Sequence, residues 1–320
     1  MQKPFVSVKT ITYNHEKFIA QCIEGIMMQK TNFSFEYIIG EDCSPDNTMK
    51  IVQEYADRYP DVIRVISSEN NVGAAENDHR TDLACQGKYV AFCEGDDFWT
   101  DPYKLQKQVD FLETNQEYGM IHSSFSCLNG NKLIDDVWRK KEMLQGDLLD
   151  HLITGNCIAT ATVCMRNELL QNIRIGDQVM GNEWKMGDYP LWIEVAAQSK
   201  IAYMSDDTMT YRIHSDSATH ALDLNGDFKF FKNRYEIKNF YVDKFNRKNL
   251  TPFLERMYHK ELLKYAIFFK DEVLRKACLD YFNTNRNRNE LPYLLFSKYS
   301  FLAPIFRFVY SFRKRTQTLI

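Results

Sequence analysis

Several absences narrow this 320-residue chain before any motif is read. No stretch reaches the roughly 18–20 consecutive apolar residues that a membrane-spanning helix needs. Positive charge is not in excess. The 40 Lys and Arg stand against 43 Asp and Glu, a formal charge of -3, whereas a nucleic-acid binder is usually basic. The eight cysteines show no CxxC spacing, so neither a zinc site nor a disulfide framework is indicated. Cys43, Cys85, Cys93, Cys157 and Cys164 lie in or beside apolar runs and read as reduced core thiols of a cytosolic protein. A secretory leader is not expected either, because Met1-Gln2-Lys3-Pro4 runs straight into a strand pattern. There is no internal repeat and no low-complexity tract.

What is present is an ordinary globular composition, 44% hydrophobic and 26% charged. The length suits one large domain with an appendage, or two small domains. Residues 5–11 alternate and are rich in β-formers, predicting a first strand, and 17–29 carry Ile19, Cys22, Ile23, Ile26 and Met27 at helical spacing. A second strand over 35–40 is followed by a capping loop, 41–47, and a helix through Met49, Ile51, Val52 and Tyr55. A strand over 62–67, a helix over 73–85 and a strand over 88–93 complete the first half. Strands alternating with helices imply a parallel sheet covered on both faces. Further on, helices are expected at 102–115, 146–153 and 188–198, and strands at 119–128, 158–165 and 201–211, the last running into Arg212-Ile213-His214. From Phe228 the pattern turns helical, aromatic and charged, which places a boundary at 222–226 between a domain of residues 1–222 and a helical region of 223–320.

Ligands of such sheets bind beyond the carboxyl ends of the strands. The unusual polar loops fall there: Thr12-Tyr13-Asn14, the segment Glu41 to Asp46, and Glu94 to Asp97. The most informative run is the apolar strand ending at Cys93 that breaks into Glu94, Gly95, Asp96 and Asp97. Strand interiors disfavour acids, and crowded carboxylates repel one another and raise each other's pKa. A hard divalent cation, magnesium or manganese, held by one or two carboxylates plus substrate phosphates is the simplest neutraliser, with a solvated acidic turn as the alternative. Trp99 is expected to pack beneath this loop. Asp42 either accepts a hydrogen bond from a nucleotide base or only caps a turn. Asp188, at the first turn of a helix, is either a cap or a general base. His214 is a metal or diphosphate contact or a structural histidine, and Asn71, Gly73 and Asn77 shape a loop before a helix or line the site.

Together these segments resemble a known family. Val6-Ser7-Val8 through Thr12-Tyr13-Asn14, then Glu41-Asp42-Cys43-Ser44-Pro45-Asp46, then Asn71-Val72-Gly73 with Asn77, resemble the opening of family 2 glycosyltransferases. Glu94-Gly95-Asp96-Asp97-Phe98-Trp99 is similar to the variant DxD motif of bacterial polysaccharide members, and Gly187 to Trp192 and Tyr211 to His214 look like later motifs of the family. The likeness covers residues 4–220 in the expected order.

The resemblance implies an α/β GT-A fold, a mixed, mainly parallel sheet flanked by helices, here with a C-terminal helical extension. It implies a nucleotide-diphosphate sugar donor, a UDP-sugar, with Mn2+ or Mg2+ and inversion at the anomeric carbon. Asp42 takes the place of the base-binding aspartate, and Thr12, Tyr13 and Asn14 that of the nucleoside pocket. Glu41, Asn71, Gly73, Asn77, Gly95 and Arg212 join the donor site. Asp96 stands as the principal metal ligand, Glu94 in the first DxD position and His214 as a late metal or diphosphate contact. Asp188 stands as the catalytic base, while Asp97 and Trp99 orient the loop or meet the acceptor. Glu replaces Asp at 41 and 94, and Gly187 stands where an acid often precedes the base.

The expected activity is glycosyl transfer to a glycan or lipid-linked acceptor in bacterial surface polysaccharide or capsule synthesis. A nucleotidyltransferase would carry a glycine-rich basic loop after its first strand, which Thr12-Tyr13-Asn14-His15 is not. A donor-binding protein without transfer is the other alternative. In 291–315, aromatic and aliphatic residues interleave with Lys298, Arg307, Arg313, Lys314 and Arg315, and no acid follows Glu290. That composition suits a helix on the anionic cytoplasmic face of the membrane, or a terminal helix packed on the body.

Overall fold

The computed structural model describes residues 3–135, 144–175, 184, 186–214, 223–285, 290–302 and 304–305. It divides into two compact units, Met1–Leu222 and Asp223–Ile320.

In the first unit, β1 (Val6–Thr12), β2 (Phe35–Glu41), β3 (Ile63–Ile66) and β4 (Tyr89–Phe92) pair in parallel. Between them run α1 (Ile19–Met27), α2 (Thr48–Arg58) and α3 (Ala74–Ala84). The sheet continues through β5 (Phe98–Trp99), β6 (Tyr118–Asn129), β7 (Lys132–Asp135), β8 (Cys164–Arg166) and β9 (Lys200–Ile213). Its order is β3-β2-β1-β4-β8-β6-β9-β5, with β7 beside β6. β8 lies antiparallel to β4 and β6, whereas β6 and β9 are parallel, so the sheet is mixed. The remaining helices are α4 (Lys104–Thr114), α5 (Leu149–Thr154), α6 (Asn167–Ile175) and α7 (Asp188–Gln198).

The alternation in β1 sorts two environments. Val6 and Val8 enter the main core with Ile19, Ile23 and Ile26 of α1, Val52 of α2 and Val109 of α4. Ser7 and Lys9 point the other way, Ser7 receiving the backbone N–H groups of Gln86 and Gly87 and Lys9 reaching α3. A central strand buried on both faces carries its polar ends outward, and so the loops after β1, β2 and β4 share one edge.

Two expected elements are corrected. Residues 158–165 do not form one strand: a 3-10 turn, Thr160–Thr162, precedes a strand of only three residues, Cys164–Arg166. The cause is side-chain capture of the carbonyls. Trp99 Nε1 donates to Ala161 O at 2.9 Å and Gln108 Nε2 to Thr162 O at 2.8 Å, so neither carbonyl is left for a strand ladder. Gly146, expected to open a helix, instead bridges Ile201 in both directions at a φ of 97°, and the helix begins at Leu149.

The second unit contains α8 (Leu224–Lys244), α9 (Thr251–Phe269), α10 (Glu272–Thr284) and α11 (Leu291–Lys298). Its core holds Phe231, Leu262, Leu263, Tyr265, Ile267, Cys278 and Phe282. Asp223 caps α8 through Gly226 N–H, and Asp271 caps α10 through the N–H groups of Val273 and Leu274. Within 291–315, α11 buries Ser297 and packs Tyr293, Leu294 and Phe296 on this core, while Leu291, Leu295, Tyr299, Phe301 and Ile305 are exposed. Arg307, Arg313, Lys314 and Arg315 lie outside the described residues. Among the described residues, no helix is long and apolar enough to cross a membrane.

Candidate active site

The loop after β4 is fixed by backbone bonds. Cys93 N–H donates to Lys9 O, Gly95 N–H to Ile11 O, and Asp97 N–H to Glu94 O, closing a turn over 94–97. A Cβ at Gly95 would lie 2.7 Å from Thr12 Oγ1 and 2.8 Å from His15 Nδ1, so only glycine lets the loop sit this close to β1. Arg212, at the end of β9, clamps the other side. Its backbone N–H donates to Asp97 Oδ1, its Nε to Asp96 O and its terminal nitrogen to Gln21 Oε1, while its guanidinium lies between the rings of Phe18 and Phe98. Trp99 is buried, with Lys104 Nζ 4.3 Å from its ring, and it props the loop from below.

The structure gives the three acids of this loop unequal states. His214 Nε2 lies 3.0 Å from Asp96 Oδ2. Burial pushes the Asp96 carboxyl up, but the His214 hydrogen bond and nearby His15 outweigh it and hold Asp96 below the ordinary carboxylate range. Glu94 is pushed up to about 8, first by burial and then by the charges of Asp96 and Asp188. Asp97 is also raised, first by burial and then by the charges of Asp96 and Glu94, against the Arg212 N–H that its Oδ1 accepts. His15, whose Nδ1 lies 3.2 Å from Thr12 Oγ1, is lowered by burial and by His214, against the pull of Asp96.

Asp188 opens α7 and reaches the same cluster. Thr160 Oγ1 donates to Asp188 Oδ2 at 3.0 Å, and Tyr189 N–H donates to Oδ1 at 2.7 Å. Burial raises the Asp188 pKa, opposed by those two donors. The 3-10 turn that interrupts the expected strand therefore delivers Thr160 between Asp188 and Glu94.

At the ends of β1 and β2, Tyr13 is 45% exposed and Asn14 takes a left-handed φ of 60°, its N–H donating to Ser44 Oγ. Asp42 receives the N–H groups of Val72 (2.8 Å) and Gly73 (2.9 Å), tying the loop before α3 to β2. Gly73 has a φ of 88°, and Asn71 Oδ1 also accepts its N–H. Two expected donor residues make contacts within the fold. Glu41 receives the N–H groups of Cys43 and Ser44 and so shapes the turn. Asn77 donates to Gly40 O and accepts from Arg80 Nε, bracing α3 against β2.

Asp96 and His214 offer one carboxylate and one imidazole side by side, donors that suit a divalent cation. His214 Nδ1 is buried with no hydrogen-bond partner among the described residues, while the ring packs on Phe18 with centroids 4.7 Å apart. Among the described residues, no group of three or more His, Cys, Asp or Glu could hold a metal by itself. The raised Glu94 gives a test in the protein stripped of divalent cations. Its native pKa of about 8 exceeds the ordinary 4.5, so the folded state keeps a proton that the unfolded chain releases. That contribution is intact below pH 4.5 and is lost as pH rises through about 8. Glu94→Gln is expected to match the native Tm at pH 4.5 and exceed it by about 2–8 °C at pH 9. Melting curves that stay parallel across this range would contradict the assignment.

Sequence reasoning did not single out Thr160, His15, Arg80, Gln21, Lys9 or Asp78. Lys9 carried a signal, a charged residue inside a buried strand, but its partners stand 69 and 73 residues away.

The profile of glycosyl transferase family 2 matches residues 7–170. An uncharacterised Mycobacterium tuberculosis protein is 32% identical over 68% of this chain and 61% of its own, so the chain spans about three-fifths of that relative's length. The Bacillus subtilis protein TuaG, a putative teichuronic acid biosynthesis glycosyltransferase, is 30% identical over 67% of this chain and 81% of its own. The Escherichia coli protein WfgD, a UDP-Glc:alpha-D-GlcNAc-diphosphoundecaprenol beta-1,3-glucosyltransferase, is 24% identical over 88% and 99%. Among solved structures, Staphylococcus aureus TarS 1–349 with UDP-GlcNAc superposes with a TM-score of 0.55 at 18% identity, over 91% of this chain and 79% of TarS. The Pyrobaculum calidifontis mannosyltransferase PcManGT with GDP-Man and Mn2+ also gives 0.55, at 15% identity over 95% and 87%. These structural likenesses establish a GT-A-like fold.

Proposed function

The chain belongs to glycosyl transferase family 2, and from that premise we propose that it transfers a sugar, with inversion, from a UDP-sugar to a hydroxyl of a glycan or lipid-linked acceptor in surface polysaccharide biosynthesis. The observation that carries this reading is the meeting of Asp188 with the Glu94–Asp97 loop at the carboxyl edge of the sheet. In this reading residues 1–222 hold the reaction, and 223–320 form a separate helical region.

Tyr13 and the Asp42–Val72–Gly73 junction receive the nucleoside, Tyr13 offering an exposed ring and Asp42 its remaining lone pairs. Asp96 and His214 hold the cation, Mn2+ or Mg2+, which when bound neutralises charge on the diphosphate leaving group. Arg212 keeps the loop in register by gripping Asp96 O and Asp97, and Asp97 orients it. Asp188 accepts the acceptor hydroxyl's proton as that oxygen attacks the anomeric carbon. Attack from the face opposite the diphosphate is one displacement, which inverts the centre. Thr160 aims the carboxylate by donating to the oxygen that Tyr189 N–H does not occupy. The shifts agree with these roles: Asp96 is held low, whereas burial raises Asp188 and so makes it the more basic of the two aspartates.

The donor class is tested by a thermal-shift screen of UDP- and GDP-sugars with Mn2+, followed by nucleotide release with the best binder. A UDP-sugar is expected to stabilise the protein and release UDP. Binding without nucleotide release in the presence of lipid-linked acceptors would favour a sugar-nucleotide-binding protein.

The sugar nucleotides of the two structural neighbours support a nucleotide-sugar donor, and the lipid-diphosphate acceptor of WfgD supports a lipid-linked acceptor for this chain. Leu291, Leu295, Tyr299, Phe301 and Ile305, exposed beside Lys298, with the basic residues of 307–315, supply the surface for an anionic membrane. The full chain is expected to float with vesicles containing phosphatidylserine and not with neutral ones, and Phe301→Glu with Leu295→Glu should abolish the difference. Flotation independent of lipid charge would contradict this contact.

A further inference from the structure

Lys9 is buried in the middle of β1, with its side chain 3% exposed, and the mechanism above gives it no task. Its ammonium donates to Asp78 Oδ1 at 2.6 Å and to Asp82 Oδ1, two acids one turn apart on α3. The acids differ: the Asp82 side chain is fully enclosed, whereas that of Asp78 is 25% exposed. A buried ammonium needs neutralising, and Asp82 lies entirely within that environment. Asp78 adds a carboxylate that reaches solvent.

The surroundings show which solvent it reaches. Lys9 Nζ lies 5.2 Å from the centre of the Phe92 ring, and the same ring meets Trp192 of α7 edge-on, with centroids 5.6 Å apart. Trp192 and Asp188 are four residues apart and so share one face of α7. Buried Lys9, Phe92 and Trp192 thus form a packed layer that links α3 to α7 through β4, with Asp78 at its α3 side and Asp188 at its α7 side. The raised pKa of Asp188 includes a contribution from the Asp78 charge, which agrees with this placement. The nucleoside end of α3 is marked by Gly73, five residues before Asp78, and the diphosphate end by Glu94 to Asp96. The group attached to the diphosphate must lie between these ends, close to Asp188.

We propose that Asp78, fixed by the buried Lys9, accepts hydrogen bonds from hydroxyl groups of the transferred sugar and so sets donor-sugar specificity. This rests on the glycosyltransferase reading. The carboxylate, anchored through Oδ1, is a rigid acceptor. A hydroxyl bonded to a charged acceptor contributes about 10–100-fold to kcat/KM.

The test uses the full chain, its preferred UDP-sugar and the monodeoxy versions of that donor. Asp78→Asn keeps the shape, and Asp82→Asn removes the same amount of charge from Lys9 away from the cleft. The native protein is expected to lose about 10–100-fold in kcat/KM on one deoxy donor, and Asp78→Asn to lose a comparable amount on the parent donor but little more on that deoxy donor. UDP affinity should stay within twofold of native. Asp82→Asn is expected to lower Tm while keeping native discrimination among the donors. A purely structural triad predicts lowered Tm in both variants with unchanged discrimination, and that result would overturn the inference. A native protein that binds no UDP with Mn2+ overturns the glycosyltransferase reading itself, a failure visible before any deoxy donor is compared.

Discussion

Asp188→Asn is expected to lower kcat by about 10²–10⁴-fold, the usual worth of a positioned general base, with UDP affinity unchanged. The substitution keeps the shape: the amide oxygen can take the Tyr189 N–H, and the amide NH2 can donate to a Thr160 hydroxyl that turns to accept, so the start of α7 survives. What is lost is the capacity to take the acceptor proton. The native pH profile provides a second signature. Because burial raises the Asp188 pKa, the acidic limb of kcat should lie above the ordinary carboxylate range, with activity rising as pH rises through that raised value. Thr160→Val removes a donor that favours the charged form, so it should move the limb further towards alkaline pH. A Thr160→Val limb that stays in place or moves to lower pH would contradict the assignment, as would near-native turnover in Asp188→Asn.

Lys9→Met is expected to cost about 3–5 kcal/mol of folding stability, or roughly 6–20 °C in Tm, because it takes the neutralising ammonium away from the enclosed Asp82 carboxylate. The remaining buried charge costs more than the lost bond. Exchanging Lys9 and Asp82 together for Met and Leu leaves no buried charge between them, and Asp78 can turn to water, so most of the loss should return. The deficit of the single variant should also shrink in acid, as the stranded carboxylate takes a proton. Denaturant unfolding at neutral and acidic pH measures both effects. A single variant within 1 kcal/mol of native would show that the buried triad carries little of the fold's stability.

Much of this was legible in the sequence where local pattern and tertiary environment agree. β1, β2 and β4 are apolar or alternating runs that become central parallel strands, and their polar ends point to the edge where Glu94, Asp96 and Asp188 gather. Legibility ended where a residue's partner is remote or is backbone. The strand expected at 158–165 was broken by Trp99 and Gln108, which claim carbonyls 54 to 62 residues away. The contacts that Glu41 and Asn77 make within the fold, to the N–H groups of Cys43 and Ser44 and to the carbonyl of Gly40 in β2, were equally hidden, since only folding brings these groups together. Thr160 carried no signal, since a threonine in a β-rich segment reads as strand. Its task depends on the 3-10 turn that points it at Asp188. Two-residue β5 is too short for any periodicity to reveal.

The acidic loop at the end of β4 remains the centre of the account, with Asp96 held low beside His214 and proposed to bind a cation together with a diphosphate. Calorimetric titration of UDP into the native chain and into Asp96→Ala, each with and without Mn2+, tests it most directly. The account predicts UDP binding to the native chain that Mn2+ strengthens by at least tenfold, and no Mn2+ enhancement in Asp96→Ala. Equal enhancement in the two proteins would contradict it.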